Sequence, residues 1–452
     1  MTLKVIILAA GKGSRMKSQL PKVLHRIAGK PMVEHVIDVA SEVGAQQTYI
    51  VYGHGGDQLQ AALQEHPLTW IHQSEQLGTG HAVQQSISCI DDSDQVLILY
   101  GDVPLITSET LKTLLVAQQE QGAAMLTMQL DDPTGYGRIL YQDACVSGIV
   151  EEKDATSEQK QLQQVNTGIF AVEGQDLKKW LGQIKNANAQ QEYYLTDIVA
   201  LAYQDKKAFA CVHVEDVLEV TGVNNRMQQA MLERAYQAKK AQELMLQGVT
   251  LIDPARIDVR GQVEVGQDVS IDANVVLEGQ VKLGSGVQIG AHVVLKNCVI
   301  GDHVIIEPMS IIEGAVIGDA CTIGPFARLR PGTHLMGQNR VGNFVEMKAT
   351  TMGCQSKANH LTYLGDSTIG QKVNIGAGTI TCNYDGAFKH QTQIEDDVFI
   401  GSGTQLIAPV VIKQGATVGA GSTISKDVEE QVLALTRSQQ KTVANWSRPK
   451  KK

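Results

Sequence analysis

Aromatic residues make up only 4% of the 452-residue chain, and its seven cysteines, an odd number, are scattered with no CxxC pair and no His-Cys cluster. Cores of stacked rings are therefore excluded, and neither a disulfide framework nor a zinc site is indicated; most of the cysteines read as small core residues. The longest apolar run near the start, Val5 to Ala10, is broken by Gly11 and Lys12. That is far too short to span a bilayer or act as the apolar region of a signal peptide, so a soluble, cytoplasmic protein with no transmembrane segment is expected. A net charge of -9 argues against a general nucleic-acid binder, whose phosphate contacts need clustered Lys and Arg. The basic end, Arg448 to Lys452, reads as a short solvated tail. Two nucleotide-binding signatures are missing as well: no GxxxxGK[ST] loop occurs, and the third glycine of a dinucleotide fingerprint is replaced by Met16.

Glycine is plentiful at 43 residues, and the length suits two or three domains. From residue 3 to about 224, short apolar runs alternate with helix-period segments, the pattern of an α/β sheet. "KVIILAA" reads as a first buried strand. "PMVEHVIDVASEVGA" follows as a helix with Met32, Val33, Val36, Ile37, Ala40 and Val43 on one face. Strands at "TYIVYG" and "QVLILYGD" come next, and Thr107 or Ser108 can cap the helix "SETLKTLLVAQQEQ". Residues 225–248 lack Pro and end at Gly248, a helical connector about 33 Å long if continuous, belonging to a neighbouring domain or standing free.

Beyond Pro254 aliphatic residues recur every six positions, at Val265, Ile271, Leu277, Leu283, Ile289 and Leu295 and again at Ile394, Ile400, Leu406, Ile412, Val418 and Ile424. Such a repeat suits one flat strand per side of a coil stacked into a solenoid, with roughly nine coils of about 18 residues. Small residues in "IGAGTI" and "VGAGST" suit tight corners. Two stretches, roughly 351 to 363 and 381 to 393, break the pattern. The expected domains are 1–224, a connector at 225–248 and a repeat domain at 249–452.

The loop "LAAGKGSRM" follows the first strand, so backbone N–H groups of Gly11 to Ser14 can bend around a phosphate, with Lys12 and Arg15 adding charge. "PKVL" supplies Lys22, and "LILYGD" puts Asp102 just past a buried strand. Ligands of open α/β sheets sit outside the carboxyl ends of the strands, so the loop and Asp102 should share a face; an Asp there suits Mg2+ bridging phosphates.

These stretches, with "EQLGTGHA", "GYGRI", "NTGIF" and "VNNR", resemble the sugar-nucleotidyltransferase family, and the repeat domain resembles the left-handed β-helix acyltransferases. Together they are similar to the bifunctional uridyltransferase and acetyltransferase enzymes over nearly the whole chain. The resemblance implies an N-terminal Rossmann-like nucleotidyltransferase sheet, a connecting helix and a C-terminal left-handed parallel β-helix. It implies that Leu8, Ala9, Ala10 and Gly11 cradle the nucleotide, that Arg15 and Lys22 act catalytically on phosphate charge, and that Gln73, Gly78 and Thr79 recognise uracil. Tyr100, Gly101 and Asp102 would line the site; Gly137, Glu151 and Asn166 would hold an acetylated sugar; Asp102 and Asn224 would ligate magnesium.

For the repeat domain the resemblance implies a homotrimer with acetyl-CoA as donor. Acetyl transfer to an amine needs a base, for which neutral imidazole is suited near pH 7, and His360 is the candidate. By resemblance Arg330 and Lys348 clamp the sugar phosphate, Tyr363 and Asn374 bind the sugar, and Ala377, Asn383, Tyr384, Ser402, Ala420 and Arg437 contact acetyl-CoA. Arg437 lies beyond the last regular hexad, so the tail must fold back or reach a neighbouring subunit. Glu346 could orient His360. Cys382 reads as inert, because direct transfer from the thioester needs no acyl-enzyme. The implied substrates are glucosamine-1-phosphate, N-acetylglucosamine-1-phosphate and UTP. The rivals are a nucleotidyltransferase whose β-helix only oligomerises or regulates, and a non-catalytic sugar-nucleotide scaffold.

Overall fold

The computed structural model describes residues 2–11 and 13–451, so Met1, Lys452 and Lys12 of the glycine loop lie outside the described residues. The chain divides into two compact units, Met1–Tyr236 and Gln237–Lys452.

The first unit is built on a nine-stranded mixed sheet. Its strands are β1 (Leu3–Leu8), β2 (Gln47–Tyr52), β3 (Leu68–His72), β4 (Gln95–Tyr100), β5 (Ala123–Gln129), β6 (Arg138–Gln142), β7 (Cys145–Val150), β8 (Gln164–Glu173) and β9 (Phe209–His213). The main order is β9-β5-β8-β4-β1-β2-β3, with β8 antiparallel to both neighbours and the hairpin β6–β7 attached beside β8. Every residue of β1 is buried, because apolar clusters cover both faces: Val5 and Ile7 join one, Ile6 and Leu8 the other. That two-sided burial explains the unbroken aliphatic run. Helix α1 (Met32–Glu42) buries Met32, Val33, Val36, Ile37 and Ala40 as its periodicity demands, and Thr107 caps α2 (Ser108–Gln121) by accepting from the Thr110 N–H at 3.3 Å. The chain runs from β1 out to β2 on one side and returns to β4 on the other, so a crevice opens where the carboxyl ends of β1 and β4 diverge.

The connector is a single helix, Arg226–Leu246, and it is not free-standing. Leu232 packs with Met16, Ile27, Met32 and Val223 in the first unit, whereas Ala241 and Leu244 join the core of the second. The Gln237 side chain there brackets Val259, donating to its carbonyl at 3.0 Å and accepting from its N–H at 2.7 Å. At the far end Gly248 takes φ 96°, a left-handed conformation that glycine adopts without a Cβ penalty.

The second unit is a parallel β-helix whose coils stack into an eleven-stranded and a fourteen-stranded sheet. Ile394, Ile400, Leu406, Ile412, Val418 and Ile424 all point inward, none more than 4% exposed. The two irregular stretches prove different in kind. Arg340 pairs with Lys357 and Lys357 with Asn374, so the first is an ordinary coil shortened to 17 residues; Asn374 pairs with Phe399, so the second is a true insertion, a step of 25. Corners are not all small residues either. Successive coils place Met309, Phe326, Phe344 and Leu361 in the left-handed region, with φ between 48° and 62°, where later coils use Gly378, Gly403 and Gly421. A left-handed conformation costs a bulky residue about 1–2 kcal/mol, which the ladder hydrogen bonds on either side of each corner must offset.

Candidate active sites in the two units

The crevice of the first unit holds a cavity of about 370 Å³. Leu8, Ala9, Ala10 and Gly11 line it from the end of β1; Tyr100 and Asp102 from the end of β4; Gln73, Gly78 and Thr79 from the segment after β3; and Lys22 and Asn224 close it. Lys22 Nζ donates to Asp102 Oδ2 and, at 3.3 Å, to Asn224 Oδ1. Arg15 Nη2 donates to the same Asn224 oxygen at 2.9 Å. Residues far apart in sequence thus converge on one ammonium group. The Asn224 backbone is itself set by the start of the connector, its N–H donating to Gln228 Oε1 at 2.8 Å. Gln73 is buried; its amide nitrogen donates to the Gly78 carbonyl at 3.2 Å and meets His81 Nδ1 at 3.1 Å, so the side chain is held in place by both neighbours.

Five expected residues lie outside the cavity lining: Arg15, which reaches the site only through Asn224, and Gly101, Gly137, Glu151 and Asn166. Gly101 is there for packing, since a Cβ would stand 3.2 Å from Val23 and 3.3 Å from Val33. The other three form a group of their own. Asn166 N–H donates to the Gly137 carbonyl at 2.9 Å, and Glu151 lies so close to Gly137 that a Cβ there would meet its carboxylate at 3.3 Å. Burial pushes the Glu151 carboxyl upward, with Asp154 adding to the shift, although Thr196 donates to it at 2.9 Å. Asp197 is pushed up to about 6 by burial and by Glu151 and Asp154. The Tyr100 phenol is likewise raised by burial and by the Glu151 and Asp102 carboxylates.

In the second unit His360 is exposed and its Nδ1 meets Asn343 Oδ1 at 2.9 Å, one coil away, where the backbones pair in register. An amide oxygen only accepts, so the imidazole carries its proton on Nδ1 and keeps Nε2 as the basic nitrogen. Glu346, expected to orient His360, is turned elsewhere: it accepts from Arg330 Nη1 at 2.8 Å. The following coils put Ala377, Ser402 and Ala420 at the same corner as His360. Hydrogen bonds from Gly378 N–H to the His360 carbonyl, Gly403 N–H to Ala377 and Gly421 N–H to Ser402 record that stacking. Arg437 belongs to this end too, because the tail continues the stack by one more parallel strand: Leu433–Ala434 pairs with Thr417–Val418, and Arg437 Nη2 would stand 3.0 Å from a Cβ on Gly419.

Of the remaining acetyl-site residues, Lys348 and Tyr363 lie in the other, fourteen-stranded sheet. Lys348 lies beside Gly365, and Tyr363 beside Glu346. The Tyr363 hydroxyl accepts from Asn383 Nδ2 at 3.5 Å, and Asn383 also donates to Asp366 at 2.5 Å. Asn374 shares the eleven-stranded sheet with His360. Tyr384 is exposed in the insertion, with Lys389 Nζ 5.6 Å from its ring centre. The Cys382 thiol is engaged with Gln405 Oε1 at 3.8 Å.

Residues 5–167 match the MobA-like NTP transferase domain. The N-terminal unit carries a nucleotidyltransferase domain. Residues 259–339 match the GMPPB C-terminal domain, and residues 391–426 match the bacterial transferase hexapeptide family, six repeats. Among solved structures, UDP-glucose pyrophosphorylase complexed with UDP-glucose is similar at 18% identity, over 53% of this chain and 100% of that one, with a TM-score of 0.44. A putative glucose-1-phosphate thymidylyltransferase from Bacillus anthracis is similar at 19% identity, over 51% and 96% of the respective chains, with a TM-score of 0.41. Among the described residues of the chain, no helix is long and apolar enough to cross a membrane.

Sequence reasoning missed Val23, Gln76, Ala82 and Glu192 in the nucleotidyltransferase cavity, and Asn343 beside His360. Glu192 had no signal, because it arrives from a loop more than 100 positions after Gln73. Asn343 had one: it stands 17 residues before His360, one short coil.

Proposed function

We propose that the N-terminal unit transfers UMP from UTP to N-acetylglucosamine-1-phosphate and releases pyrophosphate, and that the β-helix first acetylates glucosamine-1-phosphate from acetyl-CoA. The chain would then act as a bacterial N-acetylglucosamine-1-phosphate uridyltransferase and glucosamine-1-phosphate N-acetyltransferase in the cytoplasm, supplying precursors of peptidoglycan and lipopolysaccharide. The observation that carries the reading is the convergence of Lys22, Arg15, Asp102 and Asn224 at one end of the crevice.

In the uridylyl step an oxygen of the sugar phosphate attacks the α-phosphorus of UTP in line, the new P–O bond forms, and the bond to pyrophosphate breaks. Lys22 and Arg15 offset phosphate charge, the loop Leu8–Gly11 seats the nucleotide, and no covalent enzyme intermediate is needed. Asp102 and Asn224 suit Mg2+: both offer oxygens, and both already face a single cationic group, Lys22 Nζ. When bound, the metal would neutralise charge on the phosphates. No cluster of three or more His, Cys, Asp or Glu occurs among the described residues, which fits an ion held by few protein ligands and substrate phosphate.

In the acetyl step the amine of glucosamine-1-phosphate attacks the thioester carbonyl, His360 Nε2 takes the amine proton, and CoA thiol leaves. The corner column of Ala377, Ser402 and Ala420 would seat acetyl-CoA, with Asn383, Tyr384 and Arg437 flanking it, while Arg330 and Lys348 hold the sugar phosphate beside Tyr363 and Asn374. Assembly as a homotrimer is supported by the corner ridge of Met309, Phe326, Phe344 and Leu361, between 44% and 62% exposed, in which the two phenyl rings stack at 5.3 Å.

The test supplies the purified chain with glucosamine-1-phosphate, acetyl-CoA, UTP and Mg2+, then follows free thiol and pyrophosphate separately. With N-acetylglucosamine-1-phosphate supplied directly, Asp102→Asn is expected to lose pyrophosphate release alone; His360→Ala should lose thiol release alone. Loss of both activities in either folded variant overturns the two-site reading.

A further inference from the structure

The hairpin β6–β7 meets the rest of its sheet at one residue pair, Val165 with Arg138. The Arg138 side chain is only 1% exposed. Its Nη1 donates to the Tyr136 carbonyl, and its Nη2 donates to the Lys160 carbonyl at 3.3 Å and to Glu152 Oε2 at 2.7 Å. That same carboxylate oxygen accepts from the Gly135 N–H at 3.2 Å, and Arg138 holds the Glu152 carboxyl below its ordinary range. Arg138 Nε is buried with no acceptor. A buried guanidinium with one donor unused is a costly way to fill space, and an apolar residue of the same volume would serve packing as well or better.

What the clasp holds accounts for it. Arg138 pairs with Val150 across the hairpin, which places Gly137, just before the arginine, opposite Glu151, just before Glu152. Gly137 in turn carries the hydrogen bond to Asn166. One side chain therefore ties together the loop before Gly137, the segment after Glu151 and the strap ending at Lys160. The nucleotide half of the crevice rests on other supports, the ends of β1 and β4, to which the Arg138 side chain makes no hydrogen bond among the described residues.

We infer that Arg138 is a positioning residue for the sugar-phosphate half of the uridylyl site, acting through Gly137 and Glu151 and setting the KM for the sugar phosphate independently of that for UTP. The inference rests on the uridylyl-transfer reading above. Arg138→Lys keeps the charge but loses the planar fork that reaches three partners. In the full chain, with pyrophosphate release as readout, it should raise the KM for N-acetylglucosamine-1-phosphate about tenfold or more while the KM for UTP stays within about twofold. Glu152→Gln, on a side chain 28% exposed, should move the same KM in the same direction by about two- to fivefold. Glu152→Gln also carries the test if Arg138→Lys fails to fold. Equal rises in both KM values, a loss of kcat with both KM values unchanged, or wild-type kinetics in folded variants overturns the inference alone. A wild-type chain that releases no pyrophosphate overturns it together with the uridylyl reading.

Discussion

Replacing Asn343 with alanine tests whether His360 works as an oriented base. The substitution removes the oxygen 2.9 Å from His360 Nδ1 and leaves the histidine in place on the next coil. A neutral hydrogen bond contributes about 0.5–1.5 kcal/mol net, and with about 1.4 kcal/mol per factor of ten, the population of the useful tautomer falls about two- to tenfold. Freed ring rotation adds to the loss, so kcat for acetyl transfer should fall about tenfold or somewhat more. Removing the base outright, in His360→Ala, should cost about 100- to 10,000-fold. The assay is thiol release from acetyl-CoA with glucosamine-1-phosphate, with pyrophosphate release from the other unit as an internal control that should not change. Asn343→Asp sharpens the test. A carboxylate beside the ring favours imidazolium over neutral imidazole. Because only neutral imidazole accepts the amine proton, the acid limb of the rate profile must move to higher pH, with the deficit largest at low pH. Wild-type thiol release in Asn343→Ala, a loss equal to that of His360→Ala, or a downward shift in Asn343→Asp would refute the reasoning.

Gly168→Ala places a Cβ 2.6 Å from the Tyr100 ring at a residue with φ 87°, so the ring must yield. Urea unfolding should show the first unit destabilised by about 1–3 kcal/mol, and pyrophosphate release should fall while thiol release holds; an unchanged midpoint would remove Tyr100 as the obstacle. Asp197 titrates at about 6, above its unfolded value of about 3.9, so its favourable contribution is complete below the unfolded value and is lost as pH rises through the folded one. Asp197→Asn should therefore gain on wild type between those limits and end about 1 kcal/mol more stable at pH 7.5, after allowance for solvent screening and the lost helix N-terminal charge. Urea midpoints at pH 4.5 and 7.5 check it, and a pH-independent difference would contradict it.

The elements were legible where burial is set locally. The aliphatic strand of Leu3–Leu8 and the hexads ending at Val418 and Ile424 are buried as their patterns demand. The second break, around the insertion bearing Tyr384, was legible as well. The first was overstated: with Arg340, Lys357 and Asn374 paired at steps of 17, the stretch around His360 is a shortened coil with regular ladder pairing. The apolar corners at Phe326, Phe344 and Leu361 went unread because a left-handed conformation is a backbone property that composition signals only through glycine. The Glu346 role failed because a side chain's partner depends on its competitors, and Arg330 took the carboxylate.

By itself the sequence determined which residues face inward, because side-chain alternation and a six-residue period are fixed by the local chain. It also located the glycine loop and Asp102 after buried strands, which in an open α/β sheet places them on one face. Only the tertiary structure decided that Lys22 would sit between Asp102 and Asn224, that Asn343 would accept from His360, and that Arg138 would clasp Glu152. Each of those meetings depends on a crossover, a hairpin register or a coil length, and a change of one residue in any of them would redirect the side chain or leave its partner out of reach.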